Sequence, residues 1–136
     1  MYQTIIVPID VVNAEKAPEM LDAAQRLGGP DAKIVLLNVI ETVPSYVSVH
    51  LPEGHAEKVK AEAVDELNGL ANTTPLETEI EVRNGRASPE ILAAAKDKHA
   101  DAIIIASHRP GFEDLFLGST ASRVVRHATC SVFVIR

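Results

Sequence analysis

Residues 102–135 read AIIIASHRPGFEDLFLGSTASRVVRHATCSVFVI, and this stretch decides the fold class. Ala102–Ala106 (AIIIA) and Ser131–Ile135 (SVFVI) are short apolar runs with almost no alternation. Runs of this length and continuity suit strands covered on both faces, as in a parallel sheet. Between them a helix is expected to start near Ser119, with Ala121, Val124, Val125 and Ala128 on its buried face. The unit is therefore strand, helix, strand.

Working outward, the same grammar recurs upstream. Residues 4–9 (TIIVPI), 33–39 (KIVLLNV) and 77–82 (ETEIEV) read as three further strands. The last of these alternates more and is expected at a sheet edge. One helix places Ala17, Met20, Leu21, Ala24 and Leu27 on one face and stops at Gly28-Gly29-Pro30, with Pro18 in its first turn. A second carries Val59, Ala63, Leu67 and Leu70. A third opens with Ser88 as N-cap, Pro89 and Glu90, and buries Ile91, Leu92 and Ala95. The order β-α-β-α-β-α-β-α-β folds, through right-handed crossovers, into an open, doubly wound parallel sheet of five strands with helices on both faces. The whole of residues 1–136 is expected to form one domain. The longest irregular stretch, residues 40–55, is a candidate binding or lid loop.

Composition narrows the function. The 136 residues are 46% hydrophobic and 24% charged, with 19 acidic against 13 basic side chains and a net charge of −6. That balance argues against a nucleic-acid grip, which wants a basic face. The one cysteine, Cys130, excludes an intramolecular disulfide and any multi-cysteine metal site. No apolar run approaches the roughly 20 residues of a membrane-spanning helix, and the first residues lack signal-peptide features. The expectation is a cytoplasmic protein, with no membrane or nucleic-acid partner.

In such sheets ligands sit beyond the carboxyl ends of the strands, where successive crossovers diverge to opposite faces. With strand one central, the crevice lies between Pro8-Ile9-Asp10 and Ala106-Ser107-His108-Arg109. Gly118 lets a ligand come close to the backbone, and Ser119 and Thr120 stand at a helix N-terminus whose amides favour phosphate. An ordinary turn and cap reads the same way. Asp10 suits either a cap or a ribose or base acceptor, and Arg109 either a phosphate partner or a solvated charge.

Residues 101–136 resemble the C-terminal signature of the universal stress protein family, and residues 5–10 (IIVPID) and 36–41 (LLNVIE) resemble its first two strands. Features of the F/G-type branch are present, namely ASHRP and then LGS, VVRHA, Cys130 and Ser131-Val132. The resemblance implies a flavodoxin-like, adenine-nucleotide alpha-hydrolase-like sheet with strand order 3-2-1-4-5. It also implies binding of ATP, with or without Mg2+. ATP-binding members carry a glycine, two residues, a second glycine, nine residues and then Gly-Ser or Gly-Thr. Here Ala106 and Arg109 replace the two glycines, the loop is one residue shorter, and Gly118-Ser119 is intact. Position by position, Pro8, Ile9 and Asp10 match the adenosine pocket, and Val39 matches the residue whose backbone meets adenine. Ala106, Ser107, His108, Arg109, Gly118, Ser119 and Thr120 match the ribose and phosphate loop. Ser131 and Val132 fall at the family's Pro-Val position, on the strand that forms the homodimer seam in relatives.

Rival classes find less in the residues. Ser107 and His108 are adjacent in a loop and lack a third group to orient them. The other histidines have no metal-ligand spacing, and no P-loop is present. An efficient ATPase is not expected, whereas slow hydrolysis stays open. A phosphorelay receiver would need an aspartate after strand three, where Arg83-Asn84-Gly85 stands, and a lysine after strand five. Residues 10–13 (DVVN) are no flavin phosphate loop. A dimeric interaction module of the same fold without nucleotide is the remaining alternative.

Overall fold

The computed structural model describes residues 1–107 and 117–136. Five strands, β1 (Thr4–Pro8), β2 (Lys33–Glu41), β3 (Glu77–Gly85), β4 (Ala102–Ala106) and β5 (Ser131–Ile135), form one parallel sheet in the order β3-β2-β1-β4-β5. This is the expected order, and the alternating third strand stands at an edge. The central strand β1 buries Ile5, Ile6 and Val7 completely because helices cover both its faces. Successive side chains of each strand feed opposite cores. Ile5, Val7, Ile34, Leu36 and Ile104 meet α1 (Ala17–Gly28) and α3 (His55–Ala71) on one face. Ile6, Val35, Leu37, Ile103 and Ile105 meet α4 (Ala87–Asp97) and α5 (Ser119–His127) on the other.

Local chemistry explains the element ends. Pro18 sits in the first turn of α1, where its missing N–H costs nothing, and Gly29 closes the helix at φ 75°. Gly28 is fixed by packing: a Cβ there would lie 2.4 Å from Ala32 Cβ. At the far end of the sheet from the strand C-termini, Asp101 accepts from the amides of Gln3 and Thr4 at 2.9–3.1 Å. It thereby joins the start of β4 to the start of β1.

Several expectations need correcting. Strands β2 and β3 run on to Glu41 and Gly85, since their backbones keep pairing past the apolar segment. The 40–55 stretch is correspondingly shorter as a loop and contains a one-turn helix, α2 (Ser45–Ser48). Helix α4 begins at Ala87, with Arg86 rather than Ser88 at its N-cap, and Ser88 is buried within the first turn. Val125 is 46% exposed, so the buried face of α5 is Ala121 and Val124.

Candidate functional site

A cleft of about 510 Å³ opens at the carboxyl ends of β1, β2 and β4, within the size range of small-molecule sites. Neighbouring crossovers diverge here: α1 leaves β1 toward one face of the sheet, while β4 leads toward α5 on the other. Pro8, Ile9 and Asp10 come from the end of β1, Val39 from β2, Ala106 and Ser107 from β4, and Gly118, Ser119 and Thr120 from the start of α5. These nine sequence-derived residues thus converge on one surface. His108 and Arg109 lie outside the described residues.

Ser131 and Val132 do not join the cleft. They open β5, level with Ala102 and Ile103 at the amino-terminal side of the sheet, and a five-residue strand spans on the order of 15 Å. Ser131 Oγ accepts from the Tyr2 hydroxyl at 2.9 Å, and Val132 packs into the core beneath α4 and α5. A parallel strand offers only its last residues to a carboxyl-end cleft, so the motif position of these two gives them no place there.

Asp10 is exposed and organises the turn after β1. Its carboxylate accepts from the Val12 amide at 3.0 Å and from Asn13 Nδ2 at 3.3 Å, so it caps this turn and not α1, which starts seven residues later. Ser107 spans the opposite wall. Its amide donates to the Ile135 carbonyl at 2.9 Å, and its Oγ accepts from the Gly118 amide at 3.0 Å. The Ser122 amide donates to the Gly118 carbonyl at 2.8 Å, closing the first turn of α5. The amides of Ser119, Thr120 and Ala121 therefore precede the first intrahelical bond and lack an acceptor within the helix. They stand on the cleft wall at the positive end of the helix dipole.

On the β2 side the backbone itself is the functional group. Lys33 donates to the Gln3 carbonyl at 2.8 Å and Ile9 donates to the Leu37 carbonyl at 2.7 Å. Odd-numbered residues of β2 therefore turn their peptide edges toward β1. Strand β1 leaves the sheet at this point, so Val39 presents its N–H and C=O edge to the gap. Asn38, 5% exposed, closes the floor by donating Nδ2 to the Ile9 carbonyl at 2.8 Å.

Sequence reasoning missed Asn13, Lys16, Met20, Asn38, Glu41 and the α4 residues Ala87 and Ile91, which also line the cleft. Most are ordinary helix or strand residues until the fold brings them together. Asn38 carried a signal: a carboxamide inside LLNVI is a buried polar group that requires a partner. Among the described residues the charged lining groups are Asp10, Glu41 and Lys16, the last 3.5 Å from Glu19.

The profile of the universal stress protein family matches residues 1–136. This chain belongs to that family. Universal stress protein G of Escherichia coli O157:H7 is 32% identical over 145 residues, with both chains covered in full. Among solved universal stress proteins, UspA of Lactobacillus plantarum superposes with a TM-score of 0.72 at 28% identity, covering 99% of this chain and 98% of that one. A universal stress protein family protein of Arabidopsis thaliana, solved with AMP bound, gives 0.69 at 20% identity, covering 98% and 90%. Neighbours solved in complex with cAMP and with dAMP share the fold at TM-scores of 0.71 and 0.64, with 15% and 20% identity.

Proposed function

We propose that this universal stress protein binds an adenine nucleotide, ATP above all, in the cleft at the ends of β1, β2 and β4. The observation that carries the reading is the pairing of two backbone devices across one cleft. The peptide edge of Val39 suits the hydrogen-bonding edge of a base, and the amides of Ser119, Thr120 and Ala121, without an acceptor among the described residues, suit phosphate. The AMP, cAMP and dAMP held by other proteins of this fold support the same ligand class. Asp10 and Glu41 against Lys16 give the described lining little positive charge. Among the described residues no cluster of histidine, cysteine or carboxylate groups is suited to a metal, so Mg2+ would arrive on the phosphates of ATP. The protein would act as a cytoplasmic, regulatory nucleotide binder, assembled as a homodimer through β5, with slow hydrolysis at most.

Thermal unfolding with and without ligand tests this reading. A nucleotide that binds only the folded state adds about 2.7 kcal/mol at a hundredfold excess over Kd. A clear rise in Tm with ATP and Mg2+ or with AMP, absent with an equal concentration of pyrophosphate, is the expected outcome. An unchanged Tm with every adenine nucleotide, together with no calorimetric heat, would leave the non-nucleotide interaction module as the better account.

A further inference from the structure

Asn38 sits where the β1–β2 ladder stops. In a parallel pair, a residue that donates to position j of its neighbour ordinarily accepts from the amide at j+2. Ile9 donates to the Leu37 carbonyl at 2.7 Å, so the regular donor to the Ile9 carbonyl is the Val39 amide. That bond is not made. Among the described residues, the Ile9 carbonyl accepts from the Asn38 side chain instead, at 2.8 Å. Asn38 is 5% exposed, held between the β1 exit and the cleft floor, so its carboxamide has little freedom to leave this position.

We infer that Asn38 is a positioning residue for base recognition: by occupying the Ile9 carbonyl it ends the ladder one rung early and keeps the Val39 N–H free to donate into the cleft. The inference rests on the adenine reading above and deepens it. Val39 offers a donor and an acceptor side by side, and adenine offers the complement, an acceptor ring nitrogen beside an exocyclic amino group. Hypoxanthine reverses both, with a ring N–H beside a carbonyl. An open Val39 edge therefore selects AMP over IMP, whereas a Val39 amide drawn onto Ile9 loses one of the two groups that make the distinction and leaves the carbonyl alone to make it.

The test joins amide hydrogen exchange of the nucleotide-free protein, read by NMR, with Kd values for AMP and IMP. In the unmodified protein the Val39 amide should exchange much faster than that of Leu37, which lies within the ladder. Asn38→Leu, similar in size but without a donor, should slow Val39 exchange at least tenfold. It should also weaken AMP about tenfold, the scale of one hydrogen bond, and bring the AMP-to-IMP preference toward unity. Asn38→His, which keeps an N–H donor, should restore both. A purely structural asparagine would lower Tm without moving Val39 exchange or the base preference, and that pattern overturns the inference. So does a Val39 amide as protected as Leu37 in the unmodified protein, a measurement that needs no variant to fold. AMP binding with an unaltered AMP-to-IMP ratio in Asn38→Leu removes this role alone. Failure of the unmodified protein to bind AMP removes the adenine reading and the role with it.

Discussion

Gly118 separates the needs of folding from those of binding. Its φ of −60° is open to any residue, and an added Cβ would meet the Ser107 carbonyl oxygen and Oγ at 3.8 and 3.9 Å, ordinary contact distances. Gly118→Ala should therefore change stability by no more than about 0.5 kcal/mol, read from urea unfolding. Gly118→Val adds branched methyls beside the α5 amides, where phosphate must approach. It should weaken ATP by about tenfold or more, on the scale of one or two charge-assisted hydrogen bonds, and adenosine far less. Equal losses for the two ligands, measured by calorimetry, would put Gly118 away from the phosphates. At this scale the sequence was informative wherever a residue type is scarce for a physical reason, as with a glycine before a helix or an acid at a strand end. It was silent on what each group does. Ser107 reads as part of a ribose and phosphate loop, yet its hydroxyl holds the Gly118 amide. Motif position alone points to Ser131 and Val132, and a motif does not say which end of a strand faces a ligand.

Among the elements, β3 and α4 depend on charge more than the core strands do. Glu79, Glu81 and Arg83 share the β3 face toward α4. Glu79 Oε1 accepts from Lys98 Nζ at 3.0 Å, and Arg83 lies 2.8 Å from Asp97 and 3.1 Å from Glu81. The Lys98 hydrogen bond holds the Glu79 carboxyl below its ordinary value of 4.5 against the opposing effect of burial, and Lys98 is raised in turn. A depressed carboxyl stabilises the fold above its unfolded value and loses that contribution as the pH falls through its folded one. Lys98→Met should thus cost about 0.5–1 kcal/mol at pH 7, the range for a partly exposed pair. The difference from the unmodified protein should fade in urea titrations as the pH falls below 4.5 and through the lowered folded value, and a cost independent of pH would assign it to packing instead. The core strands were legible because continuous Ile, Val and Leu runs have no other comfortable home. Their lengths were not, because Val39↔Arg83 to Glu41↔Gly85 pair through backbone bonds that ignore side-chain hydropathy. A single turn such as α2 leaves no periodicity to read.

Over the whole molecule, the described residues leave the sheet two edge strands of opposite character, β3 and β5. The β3 edge carries Glu77, Glu79, Glu81 and Arg83, charges that discourage strand addition. The β5 edge carries Val132, Phe133, Val134 and Ile135, all only half-buried within one chain. The chain covers part of this strand itself. The Tyr2 ring packs edge-on against Phe133 with centroids 5.4 Å apart, and Val132 and Val134 lean on the core beneath α4 and α5. Among the described residues, what remains uncovered is the outer backbone edge and part of these apolar side chains, and Val125 of α5 is exposed as well. A second copy related by a two-fold axis would pair β5 with β5, satisfy those amides and bury the flank with self-complementary chemistry. The protein is therefore expected to be at least a dimer by light scattering at high micromolar concentration. Val134→Lys places a charge at the proposed seam and should drive dissociation, with a Tm that becomes independent of protein concentration. Glu81→Lys on the opposite edge should leave the association state unchanged. A monomeric unmodified protein would mean that Tyr2, α4 and α5 cover β5 well enough alone, and a dimer untouched by Val134→Lys would move the seam to another surface.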